Sequence, residues 1–372
     1  MEHKTYKNIS LSRLGYGCMR FPLLKGSETA IDEDEATKLL KEALAGGVNY
    51  FDTAYPYHGK TSEAFVGSVL SSYPRDSFYI ATKLPLFSIK SRDEAEKIFN
   101  EQLDNLKTGY FDFYLLHAMN RDRFETVKKL GLYEMLLEKK KQGLIKNLGF
   151  SFHDTPDVLQ AIVDEYSFDF AQLQLNYIDW VLQNGEKEYK ILTDKKIPIM
   201  VMEPVRGGAL VNLPKEAEEI FRSIHPTWSN AAWALRFVSN LENVQVVLSG
   251  MGNEEQLKDN ILTFSTLSPL NKEEIEAIDK VRNIFLEAKT IKCTACRYCL
   301  PCTKNIMIPD LFRLYNNYLF TRDKSSFIKD YSDLEVKGNA CVDCKKCIHV
   351  CPQQLEINKL VKEIDRTERA LI

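Results

Sequence analysis

One pattern restricts the fold of this 372-residue chain more than any other: short β-rich runs alternate with helical stretches through its first 290 residues. The strand candidates are Leu14–Met19, Val48–Asp52, Phe78–Lys83, Phe113–His117, Lys146–Ser151, Phe170–Leu175, Ile199–Glu203 and Val244–Ser249. Most are continuously apolar, as parallel strands covered on both faces must be. Amphipathic segments separate them. In Asp32–Ala45, the residues Ala36, Leu39, Leu40, Ala43 and Leu44 recur at helical spacing, and Ser91–Leu106 and Glu125–Gln142 behave similarly. Eight strand-plus-helix units of roughly thirty residues each predict an α/β fold, the (β/α)8 TIM barrel of about 250 residues. The competing doubly wound open sheet seldom carries eight such units, and no G-x-G-x-x-G follows an early strand. Tyr6–Ile9 and Leu11–Leu14 predict a short hairpin plugging one end of the barrel. A helix over Asn271–Lys289 closes the first domain, residues 1–290.

Residues 291–372 have a different character. Of nine cysteines, eight lie between Cys293 and Cys351, and only Cys18 precedes them. Thiols clustered this way in a reducing compartment read as metal ligands rather than disulfides. Cys341, Cys344, Cys347 and Cys351, followed by Pro352, form C-x2-C-x2-C-x3-C-P; Cys293, Cys296, Cys299 and Cys302 form C-x2-C-x2-C-x2-C. Three thiolates on one tight loop grip three irons of a [4Fe–4S] cubane, and in two-cluster ferredoxins the fourth cysteine of such a run ligates the other cluster. This spacing assigns Cys293, Cys296, Cys299 and Cys351 to one cluster, and Cys341, Cys344, Cys347 and Cys302 to a second. Structural zinc is the alternative, but it uses C-x2-C knuckles held apart, a design that four close cysteines in each run overfill. Lys345, Lys346 and Arg297 lie beside the ligands, where they either offset cluster charge or form a solvated face. Helices over Pro309–Asp330 and Leu355–Arg369 complete an α-helical ferredoxin-like domain.

Composition narrows the function classes. Lys and Arg number 49 against 52 Asp and Glu, with no basic patch, which argues against a nucleic-acid partner. The first residues, Met1 to Tyr6, lack the apolar segment of a secretory signal, and runs such as Ile197–Val201 are too short to span a bilayer. The expectation is a cytoplasmic protein with a small-molecule substrate, no membrane partner, and room for a redox protein partner.

Barrel active sites form at the C-terminal ends of the strands. There the sequence offers Asp52-Thr53-Ala54-Tyr55-Pro56-Tyr57-His58, then Thr82-Lys83, then Leu116-His117, then Gly149-Phe150-Ser151. A lone strand-end Lys or His is more often structural. Together and in this order, the four segments resemble the aldo-keto reductase superfamily over most of residues 1–290. The cysteine-rich tail further resembles a bacterial and archaeal branch of that superfamily with a C-terminal ferredoxin domain.

The resemblance implies hydride transfer between NAD(P)H and a small carbonyl or alcohol, with Asp52, Tyr57, Lys83 and His117 as a catalytic tetrad. A carbonyl accepting hydride develops alkoxide charge and needs a proton, and a phenol with a reference pKa of about 10 is too weak an acid unaided. In this scheme Lys83 lowers the phenol's pKa, Asp52 fixes Lys83, and His117 orients the carbonyl. Tyr55 is the alternative acid, and His58 either reaches the pocket or lines it. Ser151 and Gln172 match positions that bind the nicotinamide carboxamide in the family, although Phe152 and His153 stand where an Asn usually follows the Ser. Met202 falls where the family often has an aromatic ring. Arg206, Gly207 and Gly208 are placed to approach a pyrophosphate, and Asn260 belongs to a segment that matches the family's adenosine-binding loop, with N-capping as its structural alternative. Gly250 and Gln256 replace the basic residues expected for a 2′-phosphate, which weakens the case for NADP over NAD.

Nicotinamides deliver a two-electron hydride, whereas clusters pass single electrons, and proteins usually interpose a flavin. Three readings follow. The barrel is a carbonyl reductase with structural or sensory clusters; or it holds a flavin that links clusters to substrate; or it has lost its cofactor and serves as a scaffold for an electron-transfer domain. The intact tetrad argues against the third.

Overall fold

The computed structural model describes residues 1–372 and opens on two short antiparallel strands, β1 (His3–Tyr6) and β2 (Ile9–Ser12). The expected hairpin is present with different bounds. Tyr6–Ile9 contains the turn, at Lys7 (φ 53°) and Asn8, and Leu14 already belongs to the next strand. Tyr6 and Leu11 pack among Phe113, Phe170 and Val246, and the Tyr6 hydroxyl donates to the Asp169 carbonyl at 3.0 Å. The hairpin thereby closes the N-terminal end of the barrel.

Eight parallel strands follow: β3 (Leu14–Gly17), β4 (Tyr50–Asp52), β5 (Tyr79–Leu84), β6 (Phe111–Met119), β7 (Ile145–Phe152), β8 (Phe170–Gln174), β9 (Ile199–Met202) and β10 (Val244–Ser249). They pair in chain order, and β10 returns to β3 to close the barrel. Each lies on a segment expected from the sequence. Asp32 and Ser91 cap the helices Glu33–Ala45 and Arg92–Asn105 by accepting the Glu35 and Glu94 N–H groups. Two expected helices are each broken in two. Glu125–Gln142 divides into Arg121–Leu130 and Leu132–Lys141 at Gly131, whose φ of 60° ends a helix at no steric cost to glycine. Pro309–Asp330 divides into Ile308–Thr321 and Lys324–Ser332, with Arg322 left-handed (φ 56°) and Asp323 capping the second piece.

The barrel interior sets the site. Tyr50, Ala81, Leu115, Phe170 and Met200 share one apolar cluster. Side chains alternate along a strand, so the next inward position is two residues on. Those positions are Asp52, Lys83, His117, Gln172 and Met202, and Ser151 stands likewise two beyond Gly149, whose α-carbon faces the Phe170 ring. The polar ring at the C-terminal mouth is thus the layer above the apolar one.

The chain folds as two compact units, residues 1–204 with 231–270, and residues 205–230 with 271–372. The first holds the barrel strands. In the second, helix Lys272–Ala288, with a capping box between Asn271 and Glu274, packs with helix Lys215–Ile224. Its core gathers Ile306, Ile308, Phe312, Phe327, Tyr331 and Ile357. No helix is long and apolar enough to cross a membrane.

Candidate active site and candidate metal centres

Lys83, at the end of β5, is 1% exposed, and its three ammonium hydrogens have three acceptors. Nζ donates to Asp52 Oδ1 at 2.6 Å, to the Thr53 carbonyl at 2.7 Å and to the Tyr57 hydroxyl oxygen at 3.4 Å. The other Asp52 oxygen accepts from Gln172 Nε2 at 2.9 Å. Tyr57 sits just past β4 in a tight turn, where the left-handed His58 and Gly59 direct the chain into helix Ser62–Leu70. His117 crosses the Tyr57 ring edge-on, with centroids 6.2 Å apart. Its Nδ1 is buried without a hydrogen-bond partner in the protein. Burial, reinforced by Lys83, Arg123 and His153, holds the His117 pKa well below its usual value. It is therefore a neutral imidazole near pH 7, beside a phenol whose oxygen faces an ammonium. This arrangement can move a proton to an oxygen and hold that oxygen by a neutral donor.

Tyr55 is committed elsewhere. Its hydroxyl donates to Glu101 at 3.0 Å, and burial, with Glu101 adding to it, pushes its pKa up to about 12. His58 packs against Phe21, 5.6 Å between centroids.

Behind Lys83 lies a polar network that the sequence did not flag. Glu63 Oε1 accepts from the Thr82 hydroxyl at 2.5 Å and from Gln102 Nε2 at 2.6 Å. Gln102 Nε2 also reaches the Lys83 carbonyl at 3.1 Å, while the Tyr114 hydroxyl donates to Gln102 Oε1 at 2.5 Å. Burial raises the Glu63 pKa. The available signal was a carboxylate and an amide on the inward faces of helices Ser62–Leu70 and Arg92–Asn105.

The eight cysteines of the second unit gather in two groups of four. Cys293, Cys296, Cys299 and Cys351 line one hollow; Cys302, Cys341, Cys344 and Cys347 line the other. Each group combines three cysteines of one run with the fourth of the other. Four thiols around each hollow are the donor set that a [4Fe–4S] cubane takes. The two runs also share one backbone path. Ala295 and Arg297 have positive φ (49° and 65°), as do their counterparts Asp343 and Lys345 (61° and 60°). Asn305 and Gln354, each three residues after the fourth cysteine, repeat this (54° and 50°). A helix begins six residues after that cysteine in both, at Ile308 and at Ile357. The one residue by which the first run is shorter falls between Cys299 and Cys302, and the positive-φ positions and helix starts on either side of it recur at the same spacing.

The sequence profile of the aldo/keto reductase family matches residues 13–283. The chain belongs to that family. A second profile, the 4Fe-4S dicluster domain, matches residues 292–357. An uncharacterised oxidoreductase of Bacillus subtilis is 24% identical over 303 residues, covering 73% of this chain and 92% of that protein. L-galactose dehydrogenase of Arabidopsis thaliana is 21% identical over 306 residues, covering 76% and 93%. Methylglyoxal reductase of Salmonella typhi is 33% identical over a shorter 166 residues, 42% and 60%. Among solved structures, an aldo-keto reductase of Bacillus halodurans superposes with a TM-score of 0.63 at 24% identity, over 76% of this chain and 96% of its own. That likeness speaks for the fold.

In this aldo/keto reductase barrel, Ser151 and Gln172 are direct register partners across β7 and β8. Ser151 Oγ accepts the Ala118 N–H at 2.7 Å, which leaves its hydroxyl hydrogen to give. Gln172 commits a donor to Asp52, which leaves its carbonyl oxygen to accept. One donor and one acceptor side by side fit a carboxamide. Asn260 lies inside helix Glu254–Ser265 and donates to Ser249 Oγ at 2.9 Å, while Asn253 supplies the N-cap. The Arg20 side chain, from the loop after β3, lies across Gly250, where a β-carbon would come within 2.5 Å of its Cγ. It is the aliphatic stem of Arg20 that lies on this loop, while its guanidinium reaches Glu203 at 4.0 Å. Arg206 and Gly207 belong to the second unit. Gly207 has φ 61°, and a β-carbon there would lie 1.9 Å from the Thr294 carbonyl oxygen, so the close approach that requires glycine is made by the first cysteine loop.

Proposed function

We propose that the barrel reduces a small carbonyl compound, or oxidises the corresponding alcohol, by hydride exchange with NAD(P)H, and that residues 291–372 hold two [4Fe–4S] clusters. The observation that carries this reading is the contact of Lys83 Nζ with both Asp52 and Tyr57 beside a neutral His117.

The nicotinamide, when bound, supplies the hydride. Ser151 and Gln172 hold its carboxamide. Asp52 pins the Lys83 ammonium, and Lys83 stabilises negative charge on the Tyr57 oxygen, making the phenol a better acid. Tyr57 gives its proton to the carbonyl oxygen as charge develops there, and an N–H of His117 holds that oxygen in place. The reverse oxidation uses the same proton path. Cys293, Cys296, Cys299 and Cys351 ligate one cluster; Cys302, Cys341, Cys344 and Cys347 ligate the other.

The test is nicotinamide turnover against a panel of small carbonyls by protein purified without oxygen, for the wild type and Tyr57→Phe. Equal activities remove Tyr57 as the acid. A released cofactor with flavin absorbance removes the nicotinamide.

A further inference from the structure

The two cysteine hollows differ in one respect that the reductase chemistry does not use. Of the eight thiols, only Cys344 is classed with the exposed residues, and it belongs to the hollow of Cys302, Cys341 and Cys347. Lys304 and Lys345 line that hollow, and Lys346 follows them in the chain; all three are exposed. None of them takes part in an ion pair, whereas the acidic groups nearby are already matched: Asp343 by Lys362 at 3.7 Å and Glu356 by Lys359 at 2.5 Å. Two apolar side chains stand out on the same segment, Val342 at 55% and Val350 at 37% exposure. An exposed ligand loop, an apolar spot and a surround of unpaired ammonium groups are the parts of a small, weak, charge-steered interface.

We infer that this face docks an acidic one-electron carrier protein, and that the cluster of Cys302, Cys341, Cys344 and Cys347 is where electrons enter. The inference rests on the two-cluster reading above. One electron leaves the reduced carrier, which is oxidised by one electron, and the exposed cluster is reduced by one; no bond or proton changes. Ile308 and Ile357, at the starts of the two repeated helices, each line both hollows. The second cluster is thus one layer of side chains away, and the electron passes on to it.

The experiment uses the full chain, purified without oxygen and loaded with iron and sulfide. Its probes are a reduced acidic flavodoxin and, as a small uncharged reductant that needs no docking, photoreduced 5-deazariboflavin. Cluster reduction is followed by stopped-flow absorbance over a range of ionic strengths. The wild type is expected to react with flavodoxin at a rate that falls as salt rises. Lys304→Glu/Lys345→Glu/Lys346→Glu is expected to be slower by roughly tenfold or more at low salt, with its salt dependence reversed. The corresponding Lys→Gln triple variant should fall between them, and all three proteins should react alike with deazariboflavin. Equal flavodoxin rates for wild type and the Glu triple variant overturn the docking site. So does a wild type that takes electrons from deazariboflavin and none from flavodoxin; both results leave the clusters standing. A protein that binds zinc and no iron overturns the cluster reading, and the docking site with it.

Discussion

Lys83 and Asp52 meet at 2.6 Å with side chains 1% and 6% exposed, so the barrel mouth holds an ion pair almost out of contact with bulk water. Removing one member of such a pair strands the other charge, at a cost of about 3–5 kcal/mol. Asp52→Ala is expected to lower unfolding free energy by that order, measured by denaturant titration. Lys83→Met/Asp52→Ala should recover part of the loss, because neither charge is then stranded. A double variant less stable than both single variants would mean that the pair holds the barrel together beyond charge balance.

Tyr57 and Tyr55 are two residues apart, yet only Tyr57 has its hydroxyl on Lys83, while the Tyr55 hydroxyl donates a hydrogen bond to Glu101. Tyr57→Phe is expected to lower kcat by roughly 10²–10⁴-fold, the usual contribution of a positioned acid. Tyr55→Phe should change kcat little. Steady-state kinetics on one carbonyl substrate decides between them, and the opposite ranking would transfer the acid's role to Tyr55.

The sequence carried the parts of the site that depend on short-range periodicity. Asp52, Lys83 and His117 end apolar strands whose inward and outward faces alternate, so once the strands are found the inward polar ring follows two residues beyond the apolar layer. The grouping of Cys302 with Cys341, Cys344 and Cys347 around one hollow is similarly a matter of loop reach. Features set by one residue's backbone angle or by distant partners were not legible. Gly131 divides a continuous amphipathic pattern without altering its period. The hairpin turn at Lys7 and Asn8 is fixed by how Tyr6 and Leu11 fill the barrel floor, a tertiary fact. Arg20 lies against Gly250 across more than two hundred residues, and Glu63 reaches Gln102 only after two helices pack. No local spacing encodes either.

His153 and His117 make stability depend on pH. Burial, aided by Arg123, pushes the His153 pKa down to about 4, and His117 is also well below the usual value. In the unfolded chain both imidazoles titrate near 6.5. Between the unfolded and folded values the unfolded state binds more protons, so stability falls as pH drops, by about 1.4 kcal/mol per pH unit for each such histidine. Above roughly pH 7 the effect vanishes. Thermal melts from pH 7.5 to 4.5 should show a steeper decline for the wild type than for His153→Gln, whose side chain does not titrate. Parallel declines would mean that His153 protonates as readily in the fold as outside it.

The crossed grouping of the cysteines has a consequence that separates it from two self-contained runs. If Cys351 completes the site of Cys293, Cys296 and Cys299, then losing Cys293 and losing Cys351 damage the same cluster. Each single Cys→Ser variant is expected to retain about four of about eight irons, assuming a cubane per site and loss of the damaged one. Cys293→Ser/Cys351→Ser should also retain about four, because the second substitution falls on a site already lost. By contrast, Cys302→Ser/Cys351→Ser strikes both hollows and should retain close to none. Had each run kept its own fourth cysteine, the outcomes for Cys293 would reverse: Cys293→Ser/Cys351→Ser would empty both sites, and Cys293→Ser/Cys302→Ser would spare one. Iron and acid-labile sulfide assays on the anaerobically purified variants read the difference directly. The comparison is internal, since every variant carries the same kind of substitution in the same small core, and a general loss of folding would lower all the values together instead of sorting them by pair.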